Sequence, residues 1–214
     1  MDDSNPKETR KNMPRGIFLL PNLFTTGALF AGFYAIIAAM NGRFEIAATA
    51  IFIAFLLDGL DGRVARLTNT QSAFGAEFDS LSDMVSFGVA PALIVYMWSL
   101  AYLRDVSNFM GKLGWLAAFI YATATALRLA RFNTQVGTAD KRYFQGLASP
   151  AAAAVVMGAV WFCEIYDIQG VDVTYGALVL TLTAGLLMVS NFSYYSFKDL
   201  DLREKVPFVA LLAA

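Results

Sequence analysis

The sequence predicts an all-α polytopic membrane protein with a six-helix core, and three observations carry that reading. Of 214 residues, 57% are hydrophobic and only 15% are charged, against a charged share of about 25% in soluble domains. Mean hydropathy is +0.54. Six apolar stretches follow one another, each with the roughly 20 residues that cross a bilayer as a helix. A soluble core of this size does not need so much apolar residue, so the excess is assigned to a lipid-facing surface.

Residues 1–15 are polar, with Asp2, Asp3, Lys7, Glu8, Arg10, Lys11 and Arg15. No short apolar region with a small-residue cleavage site occurs there, so the segment reads as a retained cytoplasmic tail. Residues 16–197 read as the transmembrane catalytic domain, with helices expected over 17–40, 44–66, 76–103, 113–133, 149–166 and 175–197. In the first, Pro21 and Asn22 are expected to interrupt the helix and free polar groups for a ligand. The second is apolar only to Leu57, so its far end must leave the lipid or enter a wet cavity. The fourth carries Arg128 and Arg131 at i and i+3, which either find an anionic partner or snorkel to the interface. The fifth opens with Ser149-Pro150, a cap followed by proline at the first helical position. Residues 198–214 read as a cytoplasmic loop and the start of a further helix. Val206 to Ala214 is too short to span, so the chain reads as shortened before a seventh helix, or a seventh and an eighth, is complete.

With the N-terminus inside, 13 of the 16 basic residues fall in inner segments, and only Arg43, Arg104 and Lys112 fall outside. The positive-inside rule therefore places the N-terminus in the cytoplasm, which suits a bacterial inner membrane. Trp98, Tyr102, Trp115, Trp161, Tyr166, Tyr194 and Tyr195 are candidates for interfacial belts. Net charge is −1, so there is no basic footprint of a nucleic-acid partner.

The sequence has no histidine and one cysteine, Cys163, in an apolar run. Ser-His-Asp and Cys-His catalysis, histidine zinc sites and an intrachain disulfide are thereby excluded. Carboxylates, arginines and hydroxyls remain for chemistry. They concentrate in residues 58–83. Asp58 and Asp61 are i and i+3, while Gly75, Asp79 and Asp83 are i, i+4 and i+8, so on helices each set shares one face. Two helix ends joined by the polar turn Thr68 to Ser72 would bring four carboxylates together. Burial and like charge both oppose four ionised acids, and oxygen-only ligands point to hard divalent ions: Mg²⁺, Mn²⁺ or Ca²⁺. Two ions fit four aspartates better than one, and two-metal sites clamp phosphoryl displacement. Gly62 and Gly75 allow close approach of a ligand, Ala65 keeps the surface small, and Arg66 can reach a phosphate oxygen. A lone boundary aspartate is often only a helix-end residue. Four at these offsets, with two glycines and an arginine, are not accounted for in that way.

The pattern D-x-x-D-G-x-x-A-R-x8-G-x3-D-x3-D resembles the signature of the CDP-alcohol phosphatidyltransferase family at every position. The resemblance covers nearly the whole chain and implies a six-helix membrane core that dimerises. It implies metal ligation by Asp58, Asp61, Asp79 and Asp83, with Asp83 as general base. It also implies contacts to the CDP group from Gly62, Ala65, Arg66 and Gly75, beside which Asn22 and Thr25 are placed to hydrogen-bond the nucleotide. Other segments are similar to one branch, the integral-membrane phosphatidylserine synthases: Leu20-Pro21-Asn22-Leu23-Phe24-Thr25, Ser86-Phe87-Gly88-Val89-Ala90-Pro91, Leu127-Arg128-Leu129-Ala130-Arg131-Phe132-Asn133, Phe144-Gln145-Gly146-Leu147-Ala148-Ser149-Pro150 and Val189-Ser190-Asn191-Phe192. Ala148 departs from that branch, where proline is expected. The resemblance implies CDP-diacylglycerol and L-serine as substrates, in contact with membrane lipids, with Arg128 and Arg131 binding the acceptor or a phosphate. Glycerol 3-phosphate or an inositol phosphate as acceptor, an aspartyl-phosphate route, a silent scaffold and a cation transporter are the competing readings.

Overall fold

Small residues at helical spacing set how closely the first two helices pack. The computed structural model describes residues 19–68, 72–135, 143–191 and 193–195. The tail 1–15 and residues 198–214, with the expected further helix, lie outside the described residues. Within them six helices run in order: α1 (Leu19–Met40), α2 (Phe44–Thr68), α3 (Ala73–Trp98), α4 (Asn108–Gln135), α5 (Ser149–Ile165) and α6 (Thr174–Val189). A 3-10 turn (Leu100–Tyr102) and a one-turn helix (Leu103–Val106) join α3 to α4. Two short antiparallel strands, β1 (Tyr143–Gln145) and β2 (Ser193–Tyr195), pair Tyr143 with Tyr195 and Gln145 with Ser193.

On α1, Ala28, Ala31, Ala35 and Ala38 recur at spacings of three and four and are buried. On α2, Ala47, Ile51 and Ala54 do the same. Without a hydrophobic drive between helices in lipid, such small faces let backbones approach and gain dispersion contact. The hairpin closes at Gly42, whose φ of +70° suits the left-handed residue that ends a helix. Gly42 N–H donates to Ala39 O at 2.9 Å and Arg43 N–H to Ala38 O at 3.0 Å. The large apolar side chains point outward instead: Phe30 is 69% exposed where Ala35 is fully buried. This inverted arrangement is stable only against lipid.

The third helix is clamped to the first. Ser82 Oγ donates to Thr25 O and Ser86 Oγ to Ala28 O, both at 3.1 Å. A side chain at Gly32 would put its Cβ 2.7 Å from Ser86 Cα, so only glycine fits that crossing. α3 contains a π-helical segment, Met84–Val89, followed by Pro91. The proline supplies no N–H to the turn before it. In that turn the Phe87 carbonyl accepts the Tyr121 hydroxyl at 3.2 Å, which ties α3 to α4.

Several expectations need correction. Pro21 does not interrupt α1: the described residues are helical from Leu19 through Met40. α3 ends at Trp98, because Ser99 leaves helical geometry and its hydroxyl donates to Gly170 O at 2.6 Å. α4 starts at Asn108, because Ser107 Oγ accepts the Met110 N–H at 3.1 Å and caps it. The cap of α5 is Ala148, not Ser149; Ser149 and Pro150 are already in the first turn. α6 stops at Val189, and Ser193–Tyr195 is a strand. Trp98 is buried, donating Nε1 to Glu164 Oε1 at 2.8 Å, so it belongs to the interior and not to an interfacial belt. α1, α3 and α4 are apolar and long enough to cross a membrane. The 17 and 16 residues of α5 and α6 reach only about 26 and 24 Å at 1.5 Å per residue, and the C-terminal end of α2 is charged.

Replacing Gly32 by valine is expected to destabilise the protein by about 1–3 kcal/mol through overpacking. The fall is read as a lower melting temperature in detergent, and an unchanged melting temperature would mean that α1 and α3 do not cross this closely.

Candidate metal centre and active site

The packing face of α2 continues, at the same spacing, into Asp58, Asp61 and Ala65. The face of α1 opposite runs back from Ala28 to Thr25 and Asn22. The hairpin that packs alanine on alanine at one end therefore packs carboxylates against hydroxyl and amide groups at the other. Asp61 is 5% exposed, and its Oδ2 accepts the Thr25 hydroxyl at 2.6 Å.

α3 brings the remaining acids. Ser72 starts it as N-cap, its Oγ accepting the Gly75 N–H at 3.0 Å. Asp79, Ser82, Asp83 and Ser86 then follow at spacings of three and four, so the serines that clamp α1 aim the aspartates at α2. One carboxylate oxygen from each of Asp58, Asp61 and Asp79 lies within 4.8 Å of the others. Asp83 stands one turn further along α3, and its carboxyl interacts electrostatically with those of Asp58, Asp79 and Asp61.

The chemistry of this donor set fits a hard divalent cation. Asp79 Oδ1 and Asp83 Oδ1 are buried and have no hydrogen-bond partner among the described residues. Buried anionic oxygens without donors are costly, and a cation with oxygen ligands resolves both the burial and the mutual repulsion.

The other expected site residues fall around this centre. Asn22 lies over Gly75: a Cβ there would sit 3.6 Å from Asn22 Oδ1. Gly62 is exposed, with none of the described residues within 4 Å of where its Cβ would be, which leaves room for a ligand above it. Ala65 is half-buried beside it on α2. Arg66 continues α2, but its side chain lies outside the described residues. Thr25 points at Asp61 rather than at this open face.

The two arginines of α4 part company. Arg131 donates to Val189 O at 3.1 Å, Ser190 O at 3.5 Å and Asn191 Oδ1 at 3.3 Å. It is a cap on the C-terminus of α6, where carbonyls lack partners and the dipole favours a cation. The Leu147 N–H, donating to Leu187 O at 3.0 Å, completes the same end. Gly146, at φ +75°, is held there because a side chain would meet Met188 O. Arg128 is half-buried beside Asp83 and Arg131, and its Nε is buried without a hydrogen-bond partner among the described residues. The partner expected for the pair is thus a helix end for Arg131, while Arg128 retains donor capacity next to the acids.

Three contributors were not singled out from the sequence. Ser82 and Ser86 anchor α3 to α1, and Asn133 holds α4 to α3 through Nδ2–H to Ser80 Oγ at 3.1 Å. The readable signal was present in part: serines four apart in an apolar helix, next to an aspartate face, ask for a partner helix.

Comparison with known proteins gives a consistent result. A family model described as CDP-alcohol phosphatidyltransferase matches residues 18–192. A Helicobacter pylori protein named CDP-diacylglycerol–serine O-phosphatidyltransferase is 39% identical over 196 residues, covering 92% of this chain and 80% of that protein. A Methanocaldococcus jannaschii protein of the same name is 40% identical over 149 residues, 70% of this chain and 63% of that protein. A Saccharomyces cerevisiae protein of that name is 38% identical over 146 residues, 62% and 50% of the two chains.

Arg131→Gln is expected to destabilise the protein by about 1–3 kcal/mol, since part-buried carbonyls at the end of α6 lose a charged donor. Arg128→Gln is expected to leave the melting temperature in detergent near that of the parent. Equal losses in the two variants would overturn the division of roles.

Proposed function

We propose, from the premise that the chain belongs to the CDP-alcohol phosphatidyltransferase family, that it transfers the phosphatidyl group of CDP-diacylglycerol to the hydroxyl of L-serine and releases CMP. The observation that carries phosphoryl transfer is the three-carboxylate group of Asp58, Asp61 and Asp79, with Asp83 beside it. Serine as acceptor is supported by the similarity over 92% of this chain to a relative named for that substrate.

Asp58, Asp61, Asp79 and Asp83 would hold divalent metal, two ions in our reading, Mg²⁺ or Mn²⁺ before Ca²⁺. Metal bound there supplies Lewis-acid neutralisation of the pyrophosphate and of the departing CMP. The open surface over Gly62 and Gly75, with Asn22, Ala65 and Arg66 around it, receives the CDP group. Asp83 is the favoured base because it stands outside the tight group of three and beside Arg128. It takes the proton of the serine hydroxyl as that oxygen bonds to the phosphorus bearing diacylglycerol; the bond from that phosphorus to the CMP oxygen breaks in line. Direct displacement is favoured, since no histidine nucleophile exists. Arg128, with its unpartnered Nε, is suited to the serine carboxylate.

The protein is an integral membrane protein by its long apolar helices and its family. We place it in a bacterial inner membrane with the N-terminus and the site at the cytoplasmic face. In support, Arg63, Arg66, Arg128 and Arg131 share the end of the bundle that carries the acids, whereas Glu45, Asp105, Glu164, Asp167 and Asp172 lie toward the other. A homodimer follows from the family resemblance and belongs to the same proposal.

Purified protein in detergent with CDP-diacylglycerol and Mn²⁺ is expected to release CMP when serine is supplied, and not with glycerol 3-phosphate or an inositol phosphate. Chelation of the metal should abolish release. Asp83→Asn should lower turnover by about 10²–10⁴-fold, the usual worth of a general base, while binding of the CDP-lipid persists. Arg128→Gln should raise the KM for serine more than that for CDP-diacylglycerol. Release dependent on another acceptor would keep the family and overturn the alcohol; near-normal turnover of Asp83→Asn would sink the base.

A further inference from the structure

We infer that Thr25 is a positioning residue of the metal centre, fixing the Asp61 carboxylate for a divalent cation held with Asp58 and Asp79, an inference that rests on the metal reading above. The sequence suggests a different use for this residue, a contact to the nucleotide. The geometry separates the two. Thr25 is 4% exposed and Asp61 5%, so both are buried where α1 meets α2. The Thr25 hydroxyl donates to Asp61 Oδ2 at 2.6 Å, within the short range of hydrogen bonds to an ionised acceptor. The Thr25 carbonyl in turn accepts Ser82 Oγ at 3.1 Å. One residue of α1 is thus bound through its side chain to α2 and through its backbone to α3, the two helices that supply the carboxylates.

The chemical consequence concerns rotation. The terminal torsion of an aspartate is broad and roughly two-fold, with no deep wells of its own. A ligand that turns freely presents its oxygen to the cation only part of the time. Threonine is stiff at χ1 because it is β-branched, so a hydroxyl held in one direction fixes the plane of the carboxylate it binds. Partners of metal-ligating groups typically contribute 10–100-fold to metal affinity in this way. In this role Thr25 acts through Asp61.

The test uses Mn²⁺ binding by the purified full chain in detergent without lipid substrate, followed by electron paramagnetic resonance of the free ion. Thr25→Val, which keeps the shape and removes the donor, is expected to bind Mn²⁺ about 10–100-fold more weakly. Thr25→Ser, which keeps the donor, should restore most of that loss. At saturating Mn²⁺ the Thr25→Val protein should show a KM for CDP-diacylglycerol close to the parent's. Should valine fail to fold, Thr25→Ala removes the same hydroxyl and carries the same expectation. Parent-like Mn²⁺ affinity in the donor-less variant would overturn the inference, and with a raised KM for CDP-diacylglycerol it would return Thr25 to the nucleotide. Absence of Mn²⁺ binding by the parent protein would overturn the metal reading itself, and this inference with it.

Discussion

Carboxylates buried on the face that packs one helix against another are the constraint on which the rest of this structure depends. Asp58 and Asp61 extend the row of Ala47, Ile51 and Ala54, so α2 cannot bury its apolar face on α1 without burying its acids too. Moving a carboxylate from water into a helix interface is unfavourable by several kcal/mol unless donors or a cation receive it. The first donor comes from the same row on α1, where Thr25 follows the alanine spacing toward the N-terminus. α3 then closes the group, held to α1 by hydroxyls of Ser82 and Ser86 that both end on α1 carbonyls. Each of these bonds is individually worth about 1 kcal/mol. Together they fix three helix axes around four acids.

The two ends of the bundle are stabilised by different means, and the difference has a functional sense. At one end, polar groups are mutually satisfied: the Trp98 indole by Glu164, the Ser99 hydroxyl by Gly170, the α1–α2 turn by its own backbone. At the other end Asp79 Oδ1, Asp83 Oδ1 and Arg128 Nε are buried without a hydrogen-bond partner among the described residues. Incomplete satisfaction of this kind is expected where a ligand completes the set. Arg131 makes the contrast sharp. Three residues from Arg128 on the same helix, it is consumed by the carbonyl end of α6, which keeps the helix pair together and leaves a single α4 arginine beside the acids.

Much of this was legible in the sequence, and the limits have physical causes. Six helices and the clustering of Asp58, Asp61 and Asp79 follow from periodicity and from turn-length spacing, both local. What the sequence hid was tertiary. Whether Arg128 and Arg131 act alike depends on where α6 ends, and α6 ends eight residues before the last apolar-looking position because Ser190 turns extended and Ser193–Tyr195 finds a strand partner fifty residues upstream. Trp98 looked interfacial because aromatic residues near helix ends usually are; only the return of α5 with Glu164 buries it. Pro21 looked like a break because proline withholds an amide from the helical ladder, yet the described residues are helical on both sides of it.

The position of Asp83 follows from the same logic of rows. Asp79 and Asp83 are four apart, so they share a face but not a level, and the α2 carboxylates of Asp58 and Asp61 interact with both. Immediately beyond Asp83 the helix widens into the π segment, and α-helical geometry resumes at Ala90, where Pro91 follows. A π segment shifts the phase of everything after it relative to everything before it. The residues ahead of it can therefore aim at α2 while the Phe87 carbonyl and Gly88 meet Tyr121 and Thr125 of α4. Had α3 been uninterrupted, a single phase would have had to serve both the carboxylates and the α4 contact. The widened turn removes that conflict at the residue after the last aspartate, and this lets one helix present carboxylates from its N-terminal half and pack into the core with its C-terminal half.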